Sequence, residues 1–206
     1  ANSCNCAFGQ IAQQLGARTL SQYAQKLGIM DSLEFDGIIT AAGSFDLNGA
    51  DEADIAWAGI GQYLDTVNPC RYMTLMGAIA GGGEAAEPYI VASAGSGMFG
   101  GYKASKTMTG RLLSKDTAEA LAELMRNNVE KQYGDENFPG LTVCAKSGTS
   151  QLGGDLTSNA MFAGFVADEQ YPLAFIVVVE NGGYGASACV PVLSKVLAAC
   201  RTVLDA

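Results

Sequence analysis

The feature that most constrains the fold is a block of three strand-like segments in the second half of the chain. After Pro139-Gly140, apolar and other residues alternate with a period of two, as in half-buried strands. The predicted strands are 141–147, 160–167 and 173–180. The turn-forming sequence Asp168-Glu169-Gln170 separates the last two, so we predict an antiparallel pair.

Apolar residues at three- and four-residue spacing predict helices on both sides of this block. A helical hairpin starts at Ser3 and ends at Gly28, and the first helix carries Ala7, Phe8, Ile11, Ala12 and Leu15 on one face. Further helices are predicted from Asn68-Pro69 to Gly81, from Ser114 to Tyr133, and from a first turn containing Pro191 to Leu204.

The remaining segments have weaker patterns. We predict a long irregular connection at 29–56, a short strand at 89–92 and a mobile surface loop at 93–101. Strands followed and preceded by helices, with no linker between them, predict an α+β fold in one unit spanning residues 1–206.

The charge balance narrows the possible partners. The formal net charge is −9, with no clustered Lys and Arg, which argues against nucleic acid and anionic lipid as partners. No uninterrupted apolar run reaches about 18 residues, so we predict a soluble chain without a membrane segment.

The chain contains no histidine, which excludes Ser-His-Asp catalysis and His-ligated zinc. Its six cysteines lie at positions 4, 6, 70, 144, 189 and 200, too scattered for a zinc ribbon. We therefore predict no metal site and no cofactor. Several of the thiols, such as Cys144 and Cys200, lie in apolar runs and are interpreted as small buried apolar groups, and a disulfide pairing stays open.

The tetrapeptide Lys146-Ser147-Gly148-Thr149 stands at the end of the first predicted strand. A cation, two hydroxyls and a glycine that permits close backbone approach make a receptor for a carboxylate or an oxyanion. Strand alternation places Cys144 and Lys146 on one face and Ser147 on the other. Cys144 is therefore either near the binding groove or, as we prefer, a packed core residue.

A second short motif, Ser3-Cys4-Asn5, opens the first helix, where Ser3 has the alternative interpretation of a simple N-cap. Together the two motifs resemble the S-x-N and K-[ST]-G elements of penicillin-recognising enzymes. Four further segments resemble elements of the same family of domains. They are Ile60-Gly61-Gln62, Asn68-Pro69, the A-I-A-G-G-G sequence at 78–83 and V-E-N-G at 179–182. The chain resembles the transpeptidase domain of class B penicillin-binding proteins, of the penicillin-binding protein A type, over almost its whole length.

This resemblance implies a partial β-lactamase/transpeptidase-like α/β sandwich and a D,D-transpeptidase activity in peptidoglycan cross-linking. Ser3, helped by Lys146, would relay a proton, and Asn5 would bond the amide carbonyl of the substrate. Ser147 and Thr149 would hold the terminal carboxylate of a D-Ala-D-Ala stem peptide or a β-lactam, beside Gly148. The Thr149 N–H would be one donor of the oxyanion hole.

The nucleophile of that family belongs to an S-x-x-K motif, and this chain has none. The residues three positions before its seven lysines are Tyr23, Gly100, Lys103, Leu112, Asn128, Val143 and Val192. The resemblance implies that the nucleophile helix and the N-terminal strands precede residue 1, and that the chain alone is inactive. It also implies a location outside the cytoplasm, on a protein anchored by an N-terminal transmembrane helix.

Two alternatives remain. A β-lactamase or β-lactam sensor uses the same motifs, but hydrolases of the S-D-N type also need an E-x-x-L-N loop, which is absent between Asn5 and Lys146, and Cys4 replaces their Asp. The other is a non-catalytic binding module with the same fold.

The resemblance also predicts an exposed sheet edge. Without an N-terminal strand as its neighbour, segment 173–180 would have an open edge, so we expect self-association or a complementing chain.

Overall fold

A three-stranded antiparallel sheet forms the centre of the computed structural model, which describes residues 2–95 and 100–206. In chain order and in space its strands are β5 (Val143–Ser150), β6 (Asn159–Val166) and β7 (Ala174–Val179). The three predicted strands are confirmed, and β5 extends three residues beyond the predicted end at Ser147. Gly148 and Thr149 therefore lie within the strand and pair with β6.

The described residues also form five α-helices. They are α1 (Asn5–Lys26), α2 (Glu52–Gly59), α3 (Pro69–Ala80), α4 (Lys115–Asn128) and α5 (Gly185–Leu204). A π-helical turn, Val129–Tyr133, continues α4 to the predicted end of that helix. The prediction for α5 is wrong at its start, because the helix begins at Gly185. Pro191 lies inside it and removes one intrahelical hydrogen bond without ending the helix.

The two predicted N-terminal helices are present in α1 as two helical segments, which are separated at Gly16 by a non-helical backbone with φ of +78° and ψ of 159°. The predicted apolar face is only partly buried. Ala12 is buried and packs close to Gly59 of α2, whereas Phe8, Ile11 and Leu15 are about half exposed. The larger side chains of that face thus have no cover within the described residues.

The prediction of a long irregular connection at 29–56 is wrong in part. This segment contains a hairpin of two short strands, β1 (Glu34–Phe35) and β2 (Ile38–Ile39). It also contains the start of the helix α2. An eight-residue helix is too short to show a sustained period. Its start is marked by Asp51, whose carboxylate accepts the N–H groups of Ala53 and Asp54 in a capping box.

The strand predicted at 89–92 is absent from the described structure. The N–H groups of Ile90 and Val91 both donate to the Asp36 carboxylate, at 2.7 and 2.8 Å, and consecutive N–H groups of a strand point in opposite directions. Instead β3 (Ser93–Ala94) pairs with β4 (Tyr102–Lys103). Residues 96–99 of the predicted loop lie outside the described residues.

Side chains pack on both faces of the central sheet. On one face Phe162 and Val143 pack with Leu193 of α5. On the other, Phe165 and Cys144 belong to a cluster formed with α3 and α4. The predicted α/β sandwich is confirmed, with α5 as one outer layer and α3 and α4 as the other.

By length and composition, α5 could also cross a membrane, with a mean hydropathy of 1.5 over its best window. Here it packs against all three strands of the sheet. Cys189, Val190, Leu193 and Leu197 are buried by this packing. These contacts are typical of a core helix, and they account for the apolar residues on its inner side.

Candidate active site

The outer edge of β5 has no neighbouring strand among the described residues. The Ala167 N–H donates to the Thr142 carbonyl, so even-numbered residues of β5 bond to β6. Odd-numbered residues from Val143 to Thr149 therefore direct their N–H and C=O groups outward. The motif 146–149 lies at the end of this outward-facing edge.

Side chains from other elements bond to this edge in place of a strand. Arg126 donates to the Val143 carbonyl at 2.9 Å, and Asn128 donates to the Ala145 carbonyl at 3.3 Å. Gln62, from the segment after α2, donates to the Thr149 carbonyl at 3.1 Å. The backbone of β5 is thus held by two side chains of α4 and by one from the segment after α2.

Ser147 lies on the α5 side of the sheet and bonds to Tyr133 twice. Its N–H donates to the Tyr133 hydroxyl at 2.9 Å, and that hydroxyl donates to Ser147 Oγ, also at 2.9 Å. Ser147 faces a cleft of about 310 Å³, which we call the Ser147 cleft. Its lining residues are Asn2, Ser3, Gln132, Tyr133, Ser147 and Ala186.

Ser3 and Ser147 thus line the same cleft. Ser3 has a φ of +47°, in the left-handed region that few non-glycine residues adopt. The N-cap of α1 is Cys4, whose side chain makes no capping hydrogen bond. The alternative interpretation of Ser3 as the N-cap is therefore wrong.

Thr149 contacts the first residue of α5. The Gly185 N–H donates to Thr149 Oγ1 at 3.1 Å. A side chain at Gly185 would meet the Gly148 carbonyl oxygen at 2.2 Å, so this close approach requires glycine. A side chain at Gly148 would have ordinary contacts within the described residues. The glycine that the close contact between α5 and β5 requires is therefore Gly185, whereas Gly148 could carry a side chain without a clash among the described residues.

Lys146 and Asn5 do not line the Ser147 cleft. Lys146 lies on the opposite face of β5 from Ser147, and its ammonium group donates to the Ser147 carbonyl at 2.5 Å. Asn5 is exposed at the first position of α1. Of the residues assigned from the sequence, Ser3 and Ser147 share the cleft, and Thr149 lies two residues along the same strand.

Cys144 is a packed core residue, which agrees with the preferred interpretation of its sequence context. It is 2% exposed in the cluster with α3 and α4, and burial raises the pKa of its thiol to about 11. All six cysteines are free thiols. Cys144 therefore has no role as a nucleophile near neutral pH.

Sequence reasoning missed two residues that contact the motif. Tyr133 was predicted only as a helix end and Gln62 only as part of a family segment, yet both bond to the backbone of β5. Gln62 lies 87 residues before its partner in the chain. No local pattern carries such a long-range contact.

Comparison with known proteins decides the family. The profile described as the penicillin binding protein transpeptidase domain matches residues 1–198. The chain belongs to this family. It is therefore a relative of serine-type D,D-transpeptidases, and the resemblance drawn from its motifs is confirmed.

Two curated members of the family are called peptidoglycan D,D-transpeptidase PbpA. The protein from Mycobacterium tuberculosis is 30% identical over 197 residues, covering 90% of this chain and 38% of the relative. The protein from Mycolicibacterium smegmatis is 28% identical over 194 residues, covering 91% and 39%. The chain thus spans well under half the length of these relatives.

Solved structures agree on the fold. Crystalline penicillin-binding protein A from M. tuberculosis superimposes with a TM-score of 0.85 at 25% identity, covering 96% of this chain and 49% of that one. A ceftriaxone acyl-enzyme complex of the same protein gives 0.86 at 26% identity, covering 96% and 46%. The class B assignment and the partial transpeptidase-like fold are confirmed.

Proposed function

We propose that the chain is part of a peptidoglycan D,D-transpeptidase and binds the terminal carboxylate of the acyl donor. In this reaction a serine attacks the penultimate D-Ala carbonyl, the last D-Ala leaves as an amine, and a second stem peptide then takes the acyl group. The observation that carries the proposal is the end of β5. There Ser147 faces Ser3 across a cleft, on a strand edge that has no strand neighbour among the described residues.

Each residue of the motif has a proposed role that fits its position. Ser147 and Thr149 carry hydroxyl donors for the carboxylate, and Lys146 adds positive potential next to them. The Thr149 N–H points away from β6, where it is available to an oxyanion. Gly148, whose backbone pairs with β6, adds no side chain beside Lys146 on that face of the strand.

Ser3 and Asn5 belong to the proposed site from the other side. Ser3 lines the cleft opposite Ser147, in reach of a leaving amine that needs a proton. Asn5, exposed at the start of α1, is assigned to the amide carbonyl of the donor. These two roles, like the catalytic role of Lys146, rest on the family pattern together with this placement.

Residues 1–206 are proposed to form the C-terminal portion of the transpeptidase domain. No serine in them is followed by lysine three positions later, so we propose that this chain alone forms no acyl-enzyme. The ligands proposed are a D-Ala-D-Ala stem peptide or a β-lactam, since two related structures are ceftriaxone and imipenem acyl-enzymes. A location on the outer side of the cytoplasmic membrane follows from that substrate.

The alternative is a non-catalytic module that keeps the fold and the binding residues. The missing S-x-x-K motif is the observation that favours it. Both functions predict that the 206-residue chain binds a carboxylate. They differ in whether a longer product of the same gene is acylated.

Titration of the ¹⁵N-labelled chain with N-acetyl-D-Ala-D-Ala, followed by NMR, tests the carboxylate site. We expect shifts centred on Ser147 to Thr149, and weaker binding of the C-terminal amide of the same dipeptide. Lys146→Ala should weaken carboxylate binding about tenfold, because it removes a charge-assisted interaction. The matched control is Lys195→Ala, an exposed lysine on α5. Equal binding of acid and amide would refute the assignment.

A further inference from the structure

We propose that Tyr133 is a positioning residue that fixes the direction in which the Ser147 hydroxyl donates its hydrogen. This inference rests on the proposed function, because it concerns the ligand carboxylate that Ser147 is proposed to bind. It adds a residue outside both sequence motifs to the site.

The hydrogen-bond pattern carries the first step. The Tyr133 oxygen already accepts the Ser147 N–H at 2.9 Å, and the phenol hydrogen is donated to Ser147 Oγ at 2.9 Å. A serine hydroxyl has one hydrogen and two lone pairs. With Tyr133 as donor to one lone pair, the hydrogen of Ser147 has to point away from Tyr133. It is then free for an acceptor in the cleft.

The second step is the fixed position of the phenol ring. Tyr133 packs edge-on against Phe162, with ring centroids 4.9 Å apart and an interplanar angle of 74°. Its carbonyl accepts a hydrogen bond from the Asn137 side chain at 2.6 Å. The chain turns directly after it at Gly134, where φ is +80°. Packing and backbone together restrict the hydroxyl before any ligand binds.

The third step is the charge of the cleft. All of its lining residues are uncharged, and several carry hydroxyl or amide groups. A ligand carboxylate therefore meets donors and no carboxylate of the protein on these walls. An orienting donor such as Tyr133 favours an acceptor ligand over a ligand that carries its own N–H at the same place, such as a terminal amide.

The experiment compares four forms of the 206-residue chain: wild type, Tyr133→Phe, Ser147→Ala and the double variant. Each is titrated by NMR with N-acetyl-D-Ala-D-Ala and with its C-terminal amide. Tyr133→Phe keeps the ring against Phe162 and removes only the hydroxyl. The control, Tyr171→Phe, removes a hydroxyl that bonds to Asp205 at 2.6 Å, away from the cleft.

We expect Tyr133→Phe to weaken acid binding about five- to tenfold, consistent with the loss of one ordinary hydrogen bond, because Tyr133 bonds to the neutral Ser147 hydroxyl and not to the ligand itself. The ratio of acid to amide affinity should fall by a similar factor. The double variant should bind within about twofold of Ser147→Ala, because Tyr133 acts through Ser147. Tyr171→Phe should leave the ratio unchanged.

An unchanged ratio in Tyr133→Phe, including equal weakening of both ligands, overturns the inference and leaves the proposed function standing. No preference for the acid in the wild type overturns both. Where Tyr133→Phe does not fold, 4-fluorophenylalanine at position 133 replaces it, because its fluorine fills the place of the hydroxyl oxygen and carries no hydrogen to donate to Ser147 Oγ. The ratio of acid to amide affinity should fall as in Tyr133→Phe. An unchanged ratio overturns the inference.

Discussion

At the scale of single residues, Asp65 is a partly buried acidic group close in sequence to Gln62, which contacts the candidate site. One of its carboxylate oxygens is buried without a hydrogen-bond partner in the described structure, and burial raises its pKa to about 7. Asp65 follows Gln62, which bonds to the Thr149 carbonyl, by three residues. Its ionisation therefore affects a segment that supports the motif.

The raised pKa predicts how stability depends on pH. The folded chain retains the Asp65 proton up to about pH 7, whereas the unfolded chain loses it near the ordinary value of 3.8. The folded state thus binds more protons between these values, and its stability falls as the pH rises through them. The side chain is only half-buried, so we discount the full linkage to a loss of about 1–2 kcal/mol.

Asp65→Asn should remove this loss. Urea unfolding is expected to show the variant about 1–2 kcal/mol more stable than the wild type at pH 8, with little difference at pH 4. Asp155→Asn, at an exposed position, should show no such pH-dependent gain. A constant difference between Asp65→Asn and the wild type at all pH values would show that Asp65 is not the source.

At the scale of elements, the start of α5 and the end of β5 approach each other closely. Gly185 donates to Thr149, and a Cβ at position 185 would lie 2.2 Å from the Gly148 carbonyl oxygen and 2.9 Å from that of Met161. Both contacts are with backbone, which cannot rotate away. The position of α5 therefore depends on the absence of a side chain at this residue.

Gly185→Ala should separate α5 from β5. We expect a loss of about 1–3 kcal/mol in urea unfolding, the range for overpacked sites, and shifted amide signals at Gly148 and Thr149. Gly110→Ala is the matched control, because no described atom lies within 4 Å of a Cβ there and its φ is not positive. Similar stability of the two variants would contradict the close approach.

At the scale of the whole molecule, two apolar surfaces are uncovered in the part of the chain that the structure describes. Within the described residues β7 pairs with β6 alone, so the predicted open edge of the third strand is confirmed. Val178 of β7 is 41% exposed, and Phe8, Ile11 and Leu15 of α1 are each about half exposed. Soluble monomers rarely leave open edges and apolar stripes of this kind in water.

The 206-residue chain is therefore expected to self-associate or to bind a complementing chain. Light scattering should give a mass above 21.3 kDa, and a hydrophobic dye should fluoresce on binding. Val178→Lys should reduce association, because an edge lysine opposes strand pairing. Val203→Lys, on the last turn of α5, is the control for added charge. A monomer that binds no dye would show that these uncovered surfaces do not drive association.

Much of this architecture was predictable from local patterns, and the failures share a cause. The strands and α3 follow from periodicity and from caps such as Asn68, and the motif 146–149 follows from its chemistry. The short helix α2 lacks the length for a period, and 89–92 is organised by a distant carboxylate, Asp36. Tyr133 and Gln62 act on β5 through long-range contacts. The contacts of these residues are formed only in the folded chain and leave no local pattern in the sequence.

Acylation by a labelled penicillin, mapped by mass spectrometry, tests the central claim that these residues are the carboxylate-binding part of a transpeptidase site. The 206-residue chain should gain no mass, because it lacks S-x-x-K. A longer product of the same gene that includes S-x-x-K should be acylated at that serine, and Lys146→Ala should slow the reaction more than Cys144→Ala does. An adduct on any serine of the 206 residues, or equal rates for the two variants, would contradict the account.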